Sequence, residues 1–253
     1  MPVTPAHLIT LLTDFGTADG YVAELKGVLL SSAPGVQLID LSHDIPPHEI
    51  DAARLAVARY WRRFPPETIH LVVVDPGVGS DRPAIAVRSE DRFLVGPDNG
   101  VLAPALLVPG ASVVSLVVPA DAAPTFHGRD VFAPAAAALA RGVPLDSLGT
   151  PHPDPVIRRT PEAIREADGR LRGEVIAIDR FGNAVTNLIG VHDGELMVGN
   201  RTIPFRRTYS DVPSGELVAL TGSSGLIEIA MRDGSAAALG IGRGSVVRLE
   251  ARG

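Results

Sequence analysis

The chain has 253 residues, enough for one large domain or a medium one and a small one, and for a sizeable core. Its 45% hydrophobic and 21% charged content is ordinary for a globular protein, and a net charge of -6 gives a nucleic-acid role no electrostatic support. Cysteine is absent, which excludes disulfides, zinc–thiolate sites, iron–sulfur clusters and a thiol nucleophile.

The N-terminus shows no basic segment followed by an apolar stretch. The longest nearly apolar run, Val131 to Ala140, falls far short of the ~18 residues that suggest a membrane span. A cytoplasmic protein without a membrane partner is expected. Arginine supplies nearly all the cations, and Lys26 is the only lysine. We assign no function to that bias at this level.

The first predicted strand, Leu8 to Thr13, ends in Asp14-Phe15-Gly16. A helix follows over Gly20 to Ser31, with Tyr21, Leu25, Val28 and Leu29 at helical spacing and Asp19 placed to cap it. Val36 to Leu41 reads as a strand. Glu49 to Arg63 reads as a helix with Ala53, Leu55, Ala56, Ala58 and Tyr60 on its apolar face. Thr68 to Val74 is a buried strand that closes on Asp75-Pro76-Gly77. Ala84 to Val87 and Phe93 to Val95 resemble a hairpin leading to Pro97-Asp98-Asn99-Gly100. Ser112 to Val118 is a further strand and Val131 to Arg141 an Ala-rich helix. Strand–helix alternation with continuous apolar strands predicts an α/β domain over residues 1–150, a mostly parallel sheet with flanking helices.

Pro151, Pro153, Pro155 and Pro161, with the charges before Arg172, read as a linker over 151–172. From 173 to 253 short strands alternate with Gly-rich turns: 173–179, 195–198, 202–205, 217–220, 226–231 and 245–250. They predict a small antiparallel β-barrel domain.

Three polar clusters, at Asp14, Asp75 and Asp98, follow predicted strand ends. Ligands of open α/β sheets bind beyond the carboxyl ends of strands. An Asp there also closes a strand through an Asx turn, and both readings stand for each. An ionised Asp14 can bridge the two hydroxyls of a ribose cis-diol, and Asp19 suits the ammonium of an amino-acid ligand as well as a helix cap. No glycine spacing forms GxGxxG or a P-loop. His43, Asp44 and His48 lie close together. Their spacing across Pro46-Pro47 and the lack of HExxH speak against a metal, and no cofactor is expected. His127, in Phe126-His127-Gly128-Arg129-Asp130, suits an acid–base or orienting role in a polar loop.

These segments resemble the S-adenosyl-L-methionine hydrolases (adenosine-forming), also called SAM hydroxide adenosyltransferases, relatives of the fluorinases and chlorinases. The resemblance is carried by ITLLTDFGTADGYVAELKGVL from Ile9, LIDLSHDIPPHEIDAARL from Leu38 and HLVVVDPGVGSDRP from His70. LVGPDNGVL from Leu94, TFHGRDVFAPAAAALARG from Thr125 and GEVIAIDRFGNAVTNL from Gly173 complete it. It implies cleavage of S-adenosyl-L-methionine to adenosine and methionine by water, in a homotrimer with sites between neighbouring chains.

The resemblance also implies roles. Asp75, Arg82 and His127 would handle the water, and Asp14 the ribose diol. Asp19 and Asp179 would hold the methionine amino group. Asn183 would bond adenine with Phe181 nearby, and Ser223 and Ser224 would lie near the methionine carboxylate. The halogenase branch lacks the water-handling triad and has a hydroxyl-bearing residue where this chain has Gly128. Some halogenases carry arginine where this chain has Ser224.

Attack on a sulfonium expels a neutral thioether, so the leaving side needs no general acid, while the attacking water must lose a proton. Asp75 can act as its base. Arg82 beside it would keep the carboxylate ionised and so weaken it as a base, favouring a hydroxide-like nucleophile. His127 would relay the proton or aim the water. The residues alone favour a surface Asp75–Arg82 ion pair worth ~0–1 kcal/mol. A halide-dependent transferase, a non-catalytic nucleoside binder and a metallohydrolase are the competing readings.

Overall fold

The computed structural model describes residues 8–190 and 194–251. The chain divides into two compact units, Met1–Arg159 and Thr160–Gly253.

The first unit is built from β1 (Leu8–Thr13), α1 (Tyr21–Ser32), β2 (Gln37–Ser42), α2 (Ile50–Tyr60), β3 (Ile69–Val73) and β4 (Ala84–Ser89). It continues through β5 (Arg92–Pro97), α3 (Ala103–Leu106), β6 (Ser112–Leu116), α4 (Ala133–Ala140) and β7 (Gly149–Pro151). The sheet order is β2-β1-β3-β5-β4-β6-β7. The first four strands run parallel, and β4, β6 and β7 extend the sheet antiparallel.

Successive strand residues point to opposite faces. Ile9, Leu11 and Leu71 meet Leu25 and Leu29 of α1 and Ala136 of α4 on one face. Leu12, Val72 and Leu94 meet Val57, Trp61 and Ala105 on the other. Helices on both faces explain why the strands read as unbroken apolar runs. The expected α/β class holds.

Two local expectations change. Helix α1 starts from Gly20, in the left-handed region at φ 80° with no side-chain cap, so Asp19 stays exposed and caps nothing. A π-helical turn, Gly128–Phe132, precedes α4, so helical structure begins directly after His127 where a polar loop was expected.

The proline-rich stretch is fixed at its start. Asp98 is buried, and its carboxylate accepts the His152 ring N–H at 2.9 Å and the Val156 N–H at 2.8 Å. Asn99 is equally occupied: it donates to the Val74 carbonyl and accepts from Val101. The Asp98 cluster is therefore structural.

The second unit contains β8 (Ile164–Arg165), β9 (Leu171–Ile178), β10 (Ala184–Ile189), β11 (Gly194–Val198) and β12 (Arg201–Pro204). β13 (Leu217–Thr221), β14 (Leu226–Met231) and β15 (Val246–Ala251) follow. They form one antiparallel sheet, β12-β11-β15-β9-β10-β14-β13, with β8 on β9. A bridge between Phe205 and Ala219 brings its two ends together, giving the expected barrel. Its core gathers Val175, Leu188, Leu196, Ile203, Ile229 and Val247.

Strand β10 was not expected from the sequence. Thr186 and Asn187 interrupt its apolar run yet are buried, because Thr186 donates to the Ile227 carbonyl and Asn187 bonds Glu174 and Pro161. Among the described residues no helix is long and apolar enough to cross a membrane.

Candidate active site

The carboxyl ends of β1 and β3 and the segment entering α4 surround a cavity of about 270 Å³. Asp14, Tyr21, His48, Asp75, Phe126 and His127 are among its walls. Strand ends place both carboxylates there, as expected for an open α/β sheet.

Asp75 and Arg82 are joined at both ends of the carboxylate. Arg82 Nε donates to Oδ1 at 2.8 Å, and Nη2 donates to Oδ2. Their side chains are only 5% and 10% exposed. A fully solvated surface pair is thus replaced by a bidentate, largely desolvated one. The guanidinium carbon lies 5.3 Å from the Phe132 ring centroid, which fills the space on one side.

The same Nη2 reaches His127 Nδ1 at 3.1 Å. Arginine carries donors only, so Nδ1 must present a lone pair and the ring proton sits on Nε2. Burial pushes the His127 pKa below its ordinary value. Arg82 pushes it the same way, against the opposing pull of Asp75 and Asp130. His127 is therefore a neutral imidazole of fixed tautomer.

The loop between Asp75 and Arg82 needs Gly79. Gly79 has φ +78°, and a Cβ there would stand 2.5 Å from the Pro124 carbonyl oxygen. A Cβ on Gly77 would make only an ordinary contact with Arg82 Cγ, at 3.4 Å.

Asp14 accepts the backbone N–H of His48 at 2.9 Å through Oδ2. His48 is itself in the left-handed region, at φ 67°. Its neighbour in the sequence motif, His43, is buried and bonds Thr13 instead, so the two histidines do not form a common ligand set. Among the described residues no group of three or more His, Asp or Glu is arranged to hold a metal.

Phe15, Tyr21 and Phe126 form a mutually edge-to-face trio, with centroids 5.4 to 6.2 Å apart, along the cavity wall. Sequence reasoning set Tyr21 among the apolar residues of the first helix and gave Phe15 and Phe126 no role. Their only signal was position, one residue from Asp14 or His127 or at the first turn of α1. Asp19 is exposed and is not among the residues that line the cavity.

In the second unit Asp179 and Asn183 meet at the β9–β10 turn. Asp179 Oδ1 accepts the N–H groups of Phe181 and Asn183, and Oδ2 accepts the Asn183 side-chain amide at 2.9 Å. Asn183 is buried, while Phe181 is 77% exposed at the tip. The amide donation leaves Asn183 Oδ1 as an acceptor. Tyr209, not anticipated from the sequence, lies near this turn. Its pKa is raised by burial and by the charges of Glu228 and Asp179. Ser223 and Ser224 are exposed in the β13–β14 turn.

Sequence models of the SAM hydroxide adenosyltransferase N-terminal and C-terminal domains match residues 9–149 and 173–248. The chain belongs to the SAM hydroxide adenosyltransferase family. It is 42% identical to an (R)-S-adenosyl-L-methionine hydrolase of Thermus thermophilus, with 95% of this chain and 98% of that protein covered. It is 30% identical to a fluorinase of an Actinoplanes species, over 74% of each chain. A crystal structure of a conserved protein from Thermotoga maritima superimposes with a TM-score of 0.88 at 32% identity, covering 96% of this chain and all of that one. The family's two domains thus coincide with the regions that hold the Asp14–Asp75–His127 cavity and the Asp179–Asn183 turn.

Proposed function

We propose that this protein hydrolyses S-adenosyl-L-methionine to adenosine and L-methionine by attack of water on ribose C5′, without a cofactor. The observation that carries this reading is the linked Asp75–Arg82–His127 set, whose Asp75 and His127 lie on the wall of a cavity that also holds Asp14. In this scheme Asp14 receives the ribose diol through the oxygen lone pairs that His48 does not use.

Water held by Asp75 loses its proton as it attacks. The carboxylate is tied to Arg82 through both oxygens, which makes it a modest base and a firm orienter. His127, neutral and with its proton on Nε2, directs or relays the water's proton. Nucleophile and sulfonium lose opposite charge on reaction, so the aromatic trio helps by thinning the water around them.

For the rest of the substrate, Asn183 Oδ1 accepts from the adenine amine and Phe181 packs on the base. Asp19 and Asp179 take the methionine ammonium, and Ser223 and Ser224 its carboxylate. The assembly in this reading is a cytoplasmic homotrimer in which each site draws on the first domain of one chain and the second of its neighbour. Candidate ligand contacts in both units, together with the family resemblance, support it.

Gly128 favours water over halide. A Cβ there would stand 3.3 Å from both Phe126 and Phe15, so a serine fits only if the rings shift. The test is incubation of the purified protein with S-adenosyl-L-methionine, with and without chloride or fluoride, and chromatography of the products. Adenosine and methionine in all conditions support hydrolysis. A halide-dependent 5′-halo-5′-deoxyadenosine, or no product at all, overturns it.

A further inference from the structure

Lys26 Nζ donates to Asp40 Oδ2 at 2.6 Å. The other Asp40 oxygen lies 3.2 Å from His43 Nε2, off the line of a good N–H hydrogen bond. On the far side of the ring, Nδ1 lies 2.8 Å from the Thr13 hydroxyl, and that oxygen also accepts the Phe15 N–H at 3.3 Å. The His43 carbonyl takes the Gly16 N–H at 2.8 Å. The chain's one lysine is thus linked through Asp40 and His43 to the loop that carries Asp14.

Strand pairing produces this contact. Leu11 pairs with Asp40 but Leu12 with Ser42, so Leu41 is an extra residue in β2. Such a bulge resets the alternation of faces and lets Asp40 and His43, three apart, meet. Thr13, His43 and Asp40 resemble a nucleophile with its base and orienter. Thr13 is wholly buried, however, and no substrate reaches it.

The arrangement has a direction. A carboxylate only accepts, so Asp40 favours an N–H at His43 Nε2 over a lone pair. With its proton on Nε2, the ring takes the Thr13 O–H at Nδ1, and Thr13 turns its lone pairs to the Phe15 amide. Burial pushes the Asp40 carboxyl up, but Lys26 and His43 outweigh it and leave it below its usual range.

We propose that Lys26, Asp40 and His43 form a polarity relay that locks the Thr13 hydroxyl and so positions the Asp14 carboxylate for its ligand. The ligand part rests on the reading of Asp14 as the ribose-binding group. All three are positioning residues, since none lines the cavity.

Two measurements test this. ¹⁵N NMR of the full chain reads the His43 ring: the proton is expected on Nε2, with that preference lost in Asp40→Ala. A proton on Nδ1 overturns the relay whatever the catalytic outcome. Calorimetry then measures adenosine affinity in a double-mutant cycle with Asp14. Lys26→Met, a half-exposed change that spares the core, and His43→Ala are each expected to weaken binding up to about tenfold, the scale of one hydrogen bond. On an Asp14→Ala background the same changes should cost less than about twofold, and Lys26→Arg should retain affinity. Equal losses on both backgrounds overturn the relay. Unchanged adenosine binding in Asp14→Ala alone removes the ribose reading and the ligand part of the proposal, while the NMR result still decides whether the relay exists.

Discussion

Gly79 lies against the carbonyl oxygen of Pro124, so close that a Cβ would stand 2.5 Å from it. This contact ties the loop bearing Asp75 and Arg82 to the segment bearing His127. Gly79→Ala meets both a backbone clash and an unfavourable positive φ. It should lower melting temperature and reduce turnover by more than tenfold, because the loop must move to relieve the clash. A variant with parental kinetics would show that the loop–segment spacing does not matter to the chemistry.

The three water-handling residues should behave as one unit. Asp75→Ala, Arg82→Ala and His127→Ala should each depress kcat far more than they raise KM, and their losses should not add. Arg82→Lys should recover little, since a tetrahedral ammonium lacks the planar fork that spans both carboxylate oxygens and reaches the imidazole. Because the His127 pKa is lowered, the acid limb it imposes on turnover should fall below pH 6.5. Turnover in ¹⁸O-labelled water should place the label in the 5′-hydroxyl of adenosine; unlabelled adenosine would defeat direct attack.

Asp14→Ala should weaken adenosine binding by about 1.5–3 kcal/mol, the range for a hydrogen bond to a charged group. Isothermal calorimetry measures this without reference to turnover. An affinity within twofold of the parent would remove Asp14 from the ribose contact.

Gly128→Ser places a Cβ and hydroxyl against Phe126 and Phe15. The rings must yield by a few tenths of an ångström, so the variant should fold and hydrolyse more slowly. No halogenated nucleoside is expected in molar chloride, because the Asp75–Arg82 pair still occupies its place. Detection of the 5′-chloro product by mass spectrometry would show that one hydroxyl separates the two activities.

His70 is wholly buried between Thr10 and the Trp61 carbonyl, and burial pulls its pKa down to about 4. The unfolded chain therefore binds a proton that the folded chain refuses between about pH 6.5 and pH 4. Stability falls as pH drops through that window, by roughly 3 kcal/mol in total. Urea titrations should show His70→Gln losing less stability than the parent between pH 7 and pH 4. Parallel losses would assign the acid sensitivity elsewhere.

The central strands β1, β3, β4 and β5 were legible because they are buried on both faces and read as nearly unbroken apolar runs, whereas the short exposed edge strand β7 was not. Asp14 and Asp75 were legible because a polar residue directly after such a run stands at a carboxyl edge. The same logic did not separate Asp98 from them. Only the His152 and Val156 contacts, more than fifty residues along the chain, show that its carboxylate is already occupied. Strand β10 was hidden by Thr186 and Asn187, whose partners are likewise distant in sequence. The burial of the Asp75–Arg82 pair was also invisible, since charge spacing does not reveal solvent access.

Leu41 is the single added residue that turns His43 toward Thr13. Exchanging its side chain alters one partly buried contact, whereas deleting it abolishes the bulge and the local bend it puts into β2 just before His43. At that point of the strand, information is stored in the count of residues and not in their chemistry. The region should therefore accept many substitutions and no change of length.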